Sequence, residues 1–286
     1  MQAAKPSRTA LRVAMRRAAH QLYDAKPLVL DDPVAVPILG SAYAEELRRT
    51  PVRPDRPWSV ALRAFMVARS RFAEDHLASA VASGVEQYVL LGAGLDTFAH
   101  RNPHARLRVF EVDHPATQQW KRELLAKGKL SAPERHTYIP VDFETQTLAA
   151  QLEEAGFDRR APAFFAWLGV VPYLTLPAFR STVAYIASLP QGTGLALDYS
   201  QPRHALPPLE RLALDSLASR VQQAGEPFQL FFTPAEIAAE LAAFRGIEDL
   251  GSPEMNARYF AGRRDSLKLR GAAGRLLCAW LLGDSD

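Results

Sequence analysis

Short apolar runs, each stopped by a polar or glycine-rich break, recur through the chain from residue 86 onward. They are EQYVLL (86–91), LRVFEV (107–112), HTYIPV (136–141), AFFAWL (163–168), GLALD (194–198), IEDL (247–250) and RLLCAWLL (275–282). All seven are candidate strands, and the first, over Tyr88 to Leu91, has the uninterrupted apolar character of one buried on both faces. Between most of them the apolar spacing becomes helical. Pro115 opens one helix that Gly128 closes, another follows Pro177, and TPAE (233–236) pairs Thr233 with Glu236 as a capping box, with Pro234 at the first helical position. Ala61 to Val81 is also helical, and Gly84 stands where a C-terminal cap belongs. The alternation predicts an α/β fold: a doubly wound, mostly parallel seven-stranded sheet.

Upstream of that pattern, residues 1–84 read as an N-terminal helical cap packed on a core formed by 85–286, and the proline-spaced TPVRPDRPW (50–58) is the natural joint. Near the start, Ala10, Leu11, Ala14, Ala18 and Leu22 have helical spacing with the arginines on the opposite side. The expectation is a docked helix rather than a basic targeting segment. Residues 201–231 interrupt the alternation. A loop, QPRHALPP, leads into LERLALDSLASRVQQAG, which has the spacing of a helix, and an inserted lid is expected.

Composition adds limits. At 286 residues, 48% hydrophobic and 23% charged, the chain can bury a full core as one large domain or a domain with a cap. A formal charge of +3, spread along the chain, gives no footprint for nucleic acid. No apolar run approaches the roughly 18 residues of a membrane helix, so a cytoplasmic protein without a membrane partner is expected. The single cysteine, Cys278, excludes an internal disulfide framework and reads as a core thiol. His100 and His104 have helical spacing but are separated by Pro103, and no metal motif results.

The chemistry gathers where strands end. In LLGAGLDT, glycines 92 and 94 allow a tight turn that lies against a flat ligand, but Thr97 stands where a dinucleotide fingerprint has its third glycine, and no Lys-Ser or Lys-Thr follows. The turn is therefore not expected to cradle a phosphate. The second strand ends in FEVD, with Glu111 and Asp113 about twenty residues beyond the glycines, where an acid accepts two ribose hydroxyls; Asp113 could instead cap the helix that starts at Pro115. The third strand ends in PVDFE. There Asp142 could accept from an adenine amino group beside Phe143, or could simply serve a turn. Arg69 and Arg71, in a helix just before the first strand, are either a solvated face or a fork for a carboxylate, which S-adenosylmethionine carries where NAD carries pyrophosphate.

With these residues in view, the sequence resembles the leucine carboxyl methyltransferase family, class I methyltransferases that include bacterial enzymes esterifying polyketide carboxylates. The resemblance is carried by ARSRFAEDHL, GVEQYVLLGAGLDTFAHR, VFEVDHPATQQWKR, VDFE and WLGVVPYLT. It implies S-adenosylmethionine as cofactor, with Arg69 holding its carboxylate. Gly92, Ala93 and Gly94 would pass under the methionyl and ribose part with Asp96 nearby, Asp113 would bind the ribose, and Asp142 and Phe143 would take the adenine. Many members of the family have a glutamate at the end of the fourth strand, where this chain has Leu168.

The expected reaction is O-methylation of a small-molecule carboxylate, which is ionised at neutral pH and needs no general base. Tyr173, Tyr199, His204 and Arg258 are the candidates for substrate contact, Arg258 as partner of a substrate carboxylate. Two other readings stay open: a nicotinamide-dependent oxidoreductase, and a non-catalytic protein that binds S-adenosylmethionine. A hydrolase lacks its G-x-S-x-G motif.

Overall fold

A computed structural model describes residues 8–49, 57–142, 146–223, 225 and 227–283. All seven expected strands are present: β1 (Gln87–Leu91), β2 (Arg108–Asp113), β3 (His136–Pro140), β4 (Phe164–Trp167), β5 (Gly194–Ser200), β6 (Arg245–Leu250) and β7 (Gly274–Trp280). They form one sheet in the order β3-β2-β1-β4-β5-β7-β6. The first five pair in parallel, and β7 runs antiparallel between β5 and β6.

Both faces of the sheet are covered, as the uninterrupted apolar strands require. Val89, Leu91, Phe110, Phe165, Trp167, Leu195 and Leu197 point to one side. There they meet Leu148 and Leu152 of α5 (Leu148–Glu154), Phe179 and Val183 of α6 (Leu176–Ala187), and Ile237 of α8 (Pro234–Glu240). Tyr88, Leu90, Phe164, Ala166, Ala196 and Cys278 face the other side, against Val67, Phe72 and Leu77 of the long helix α3 (Pro57–Ala82) and Met255 of α9 (Ser252–Tyr259). A third cluster joins α1 (Arg8–Tyr23), α2 (Gly40–Arg49) and α4 (Pro115–Lys127) through Ala14, Ala18, Leu39, Leu47 and Leu124.

Local signals account for the helix ends. Thr147 and Thr175 cap α5 and α6, Pro234 and the Thr233–Glu236 box open α8, and Gly128 ends α4. The helix expected within 201–231 is α7 (Pro208–Gln222). The joint expected at 50–58 falls mostly on residues outside those described.

One expectation about α1 is corrected. Its arginines do not all lie opposite the apolar face: Arg17 is 3% exposed, while Leu22 of the supposed inner stripe is 37% exposed. The reason is an ion-pair network that draws Arg17 inward. Arg17 donates to Asp96 and to Asp32, both at 2.7 Å, and to the Thr97 hydroxyl at 2.8 Å. Thr97 donates to Asp32 in turn.

Candidate active site

Sheet order fixes where a ligand can lie. From β1 the chain winds outward to β2 and β3 on one side and to β4 and β5 on the other, so a crevice opens beyond the carboxyl ends of β1 and β4. A cavity of about 760 Å³ occupies that place. Its size lies within the range of small-molecule sites.

The glycine turn forms its floor. After β1 the amides of Gly92 and Ala93 both donate to the Val112 carbonyl, which ties the turn to the end of β2. Gly92 has φ +66°, and a Cβ there would lie 2.4 Å from a Val170 methyl carbon across the crevice. Only glycine satisfies both conditions. Gly94 follows at φ +52°, its amide donating to the Asp113 carboxylate.

Asp113 does not cap the helix behind it. The His114 ring accepts from the Ala116 amide and takes that task. One Asp113 oxygen holds Gly94, the other accepts from the His114 amide at 2.6 Å, and the carboxylate lines the cavity. Burial raises the Asp113 carboxyl above its ordinary value, countered in part by these two amides. Its neighbour Glu111 is fully buried instead, paired with Lys121 and 3.4 Å from His136.

Arg69, Gly92, Ala93, Gly94, Asp96, Asp113 and Tyr173 all line the cavity. The helical pair at 69 and 71 splits: Arg69 is buried, whereas Arg71 bridges Asp75 on the surface. Asp142 is half-buried and lies beside the cavity rather than on its wall, with its amide donating to the wall residue Gln146. Phe143 lies outside the described residues. Leu168 lines the cavity next to Gly169.

Three of the substrate candidates are placed elsewhere. Tyr199 is buried and donates to Asp249 at 2.7 Å, held there because β7 runs beside β5 and brings Arg275 onto the same carboxylate. His204 is exposed in a short turn before α7. Arg258, on α9, pairs with Glu248 and lies over the Phe72 and Tyr259 rings.

Arg17 is a charged wall residue that the sequence did not bring forward as part of the site. It reaches the cavity from α1 along with Ala10, Val13 and Ala14. Burial alone would raise the Asp96 carboxyl, but the charges of Arg17, Arg101 and Lys121 outweigh it and hold the group well below the usual range. Asp24 is depressed similarly, its burial offset by hydrogen bonds from His20 and Arg63.

These shifts fix the sign of the acid response. A depressed carboxyl leaves the unfolded chain with more bound protons, so Asp96 and Asp24 contribute stability above the unfolded value of about 4 and lose it as pH falls. Asp113, raised by burial, has the opposite sign. Glu111, Asp158, Glu236, Glu240 and Asp265 are depressed as well, so with seven carboxyls against one among the described residues the urea midpoint should fall as pH drops below about 4, and Asp96→Asn should flatten that fall. A midpoint that does not change with acid would contradict the assignment.

The fold, the turn and a cavity walled by an acid from β2 and an arginine from α3 define a class I S-adenosylmethionine-dependent methyltransferase. The leucine carboxyl methyltransferase family model matches residues 10–187, and the chain belongs to that family. A Bacillus subtilis relative named "Putative S-adenosyl-L-methionine-dependent methyltransferase YktD" is 31% identical over 91% of this chain and 93% of its own length. A Mycobacteroides abscessus protein named as the same kind of enzyme is 38% identical, but over 58% of this chain and 55% of its own. Among solved structures, a duf574 family protein from Streptomyces avermitilis superposes with a TM-score of 0.52 at 19% identity, covering 93% of this chain and 96% of that one. A second, from Thermobifida fusca, gives a TM-score of 0.57 at 18% identity over 98% and 96%. At these identities the two structures speak for the fold.

The residues present suit the cofactor. The 3-10 turn after the glycines (Phe98–Arg101) offers no α-helix N-terminus to a pyrophosphate. A phosphate-free nucleoside needs none.

Proposed function

We propose that the acceptor atom is a carboxylate oxygen of a small molecule, and that Arg69, Asp113 and the glycine turn hold the cofactor's carboxylate, ribose and methionyl part. The observation that supports this most is what the cavity wall offers as a base. Asp96 is locked by Arg17, and both Asp113 oxygens already accept from backbone amides. His114 uses Nδ1 as an acceptor, which leaves the proton on Nε2. Burial pushes the Tyr185 phenol up to about 12. A neutral hydroxyl would have to lose its proton to one of these groups, whereas a carboxylate arrives ionised.

When bound, S-adenosylmethionine supplies an electrophilic methyl group whose bond to a positive sulfur breaks as the acceptor oxygen attacks. The chain's part is then to bind, align and keep water away. Alignment alone is worth roughly 7 to 11 kcal/mol in well-oriented reactions. We also read residues 1–84 as a cap and 201–231 as a lid over the acceptor. Gly225, Pro227 and Gln229 lie on the cavity wall, while Leu209 and Leu212 of α7 are 76% and 64% exposed. Such a loosely packed helix can move without disturbing the sheet.

The test is methyl transfer from labelled cofactor to a panel of carboxylic acids matched with the corresponding alcohols and amines. Alkali-labile methyl esters formed only from the acids are expected. Label transferred equally to the alcohols would remove the carboxylate reading.

A further inference from the structure

Arg69 projects into the cavity from α3, but its own helix does not fix where its guanidinium points. Two features of the sheet do. Gly169, just past β4 with φ +71°, lies against the guanidinium: a Cβ there would be 2.6 Å from one terminal nitrogen of Arg69 and 2.8 Å from the other. Asp198, on β5, accepts from Arg69 Nη1 at 3.4 Å through one oxygen and from the Gly169 amide through the other. β4 and β5 are parallel with Trp167 opposite Leu197, so residues 168–169 and Asp198 leave adjacent strands side by side.

This arrangement does two things to the arginine. A buried guanidinium without a counter-charge is costly, and Asp198, itself 5% exposed, supplies one from below the cavity. The single long contact occupies one of five N–H donors, and the fork keeps donors for a ligand. Asp198 is not on the cavity wall, so it acts through Arg69 rather than by contact.

We infer that Asp198, together with Gly169, is a positioning residue for the cofactor's amino-acid end, setting the plane in which Arg69 meets the carboxylate. The inference rests on the role proposed above for Arg69. It separates from a merely structural role because only ligands that carry the amino-acid end should feel the change.

Two ligands make that distinction: S-adenosylhomocysteine, and 5′-methylthioadenosine, which keeps the nucleoside and thioether but lacks the amino acid. Calorimetric dissociation constants would be measured for both on wild type, Arg69→Ala, Asp198→Asn, Gly169→Ala and the double variant Arg69→Ala/Asp198→Asn. Asp198→Asn and Gly169→Ala should each weaken S-adenosylhomocysteine about tenfold while leaving methylthioadenosine within about twofold, which also shows that the variants are folded. The double variant should bind no more weakly than Arg69→Ala alone. Equal losses for both ligands, or losses that add in the double variant, would overturn the inference and make Asp198 a clasp for the strand ends only. Arg69→Ala without selectivity between the two ligands would instead sink the assignment of Arg69, and the inference with it.

Discussion

Asp113→Ala should weaken S-adenosylmethionine binding by roughly 100-fold, about 3 kcal/mol, the scale of two hydrogen bonds from a ribose diol to a charged acceptor. A second loss points the same way. Without the carboxylate, the Gly94 amide loses its acceptor, and the turn keeps only the Gly92 and Ala93 bonds to Val112 as its tie to β2. Asp113→Asn keeps one acceptor oxygen and should fall between wild type and the alanine variant. Titration calorimetry on the three proteins is the check, and an alanine variant that binds like wild type would move the ribose elsewhere. Acid should also weaken binding to wild type, because burial raises the Asp113 carboxyl and brings its protonation nearer to working pH.

The largest expected effect on stability is at Arg17. Arg17→Ala leaves Asp96 without its ion-pair partner, and leaves Asp32, 0% exposed, and the Thr97 hydroxyl with Arg101 as the remaining cation, at the longer distance of 3.4 Å from each. Breaking a buried pair by removing one partner costs about 3 to 5 kcal/mol, more than the roughly 1 kcal/mol of an average substitution. Urea unfolding would show a lower midpoint with an unchanged slope. The reciprocal variant Asp32→Asn should cost less, since Arg17 would retain Asp96. A loss below about 1 kcal/mol for Arg17→Ala would mean that water enters and solvates the carboxylates.

The inner strands β1, β4 and β5 were legible because they are apolar on both faces, whereas the edge strands β3 and β6 carry polar, partly exposed residues. Strand direction was less legible: RLLCAWLL reads the same whichever way it pairs, and the antiparallel run of β7 follows from the chain's path rather than from its residues. That is why Tyr199 looked available at the end of β5. Its phenol is claimed by Asp249 on β6, with Arg275 of β7 on the same carboxylate. Asp113 could be found because its distance from the glycines is set by one turn and one strand. Arg17 could not be found in that way, since its partners are 15, 79 and 80 residues distant. A weak signal was present nonetheless: Ala10, Val13, Ala14 and Arg17 follow the i, i+3, i+4, i+7 spacing of one helical face, so an arginine there continues an inward stripe. Thr97, read as a missing glycine, has a positive role as the hydroxyl between Arg17 and Asp32.

The Arg17 network makes the first helix and the glycine turn one thermodynamic unit. Whatever steadies the turn steadies α1, and by reciprocity whatever frays α1 lowers affinity at the turn. Each tenfold rise in free ligand above its dissociation constant adds about 1.4 kcal/mol to that unit. Amide hydrogens of α1, some of them far from any bound nucleoside, would then exchange more slowly as the site fills, and a protease attacking the amino-terminal segment would report on how much cofactor is present.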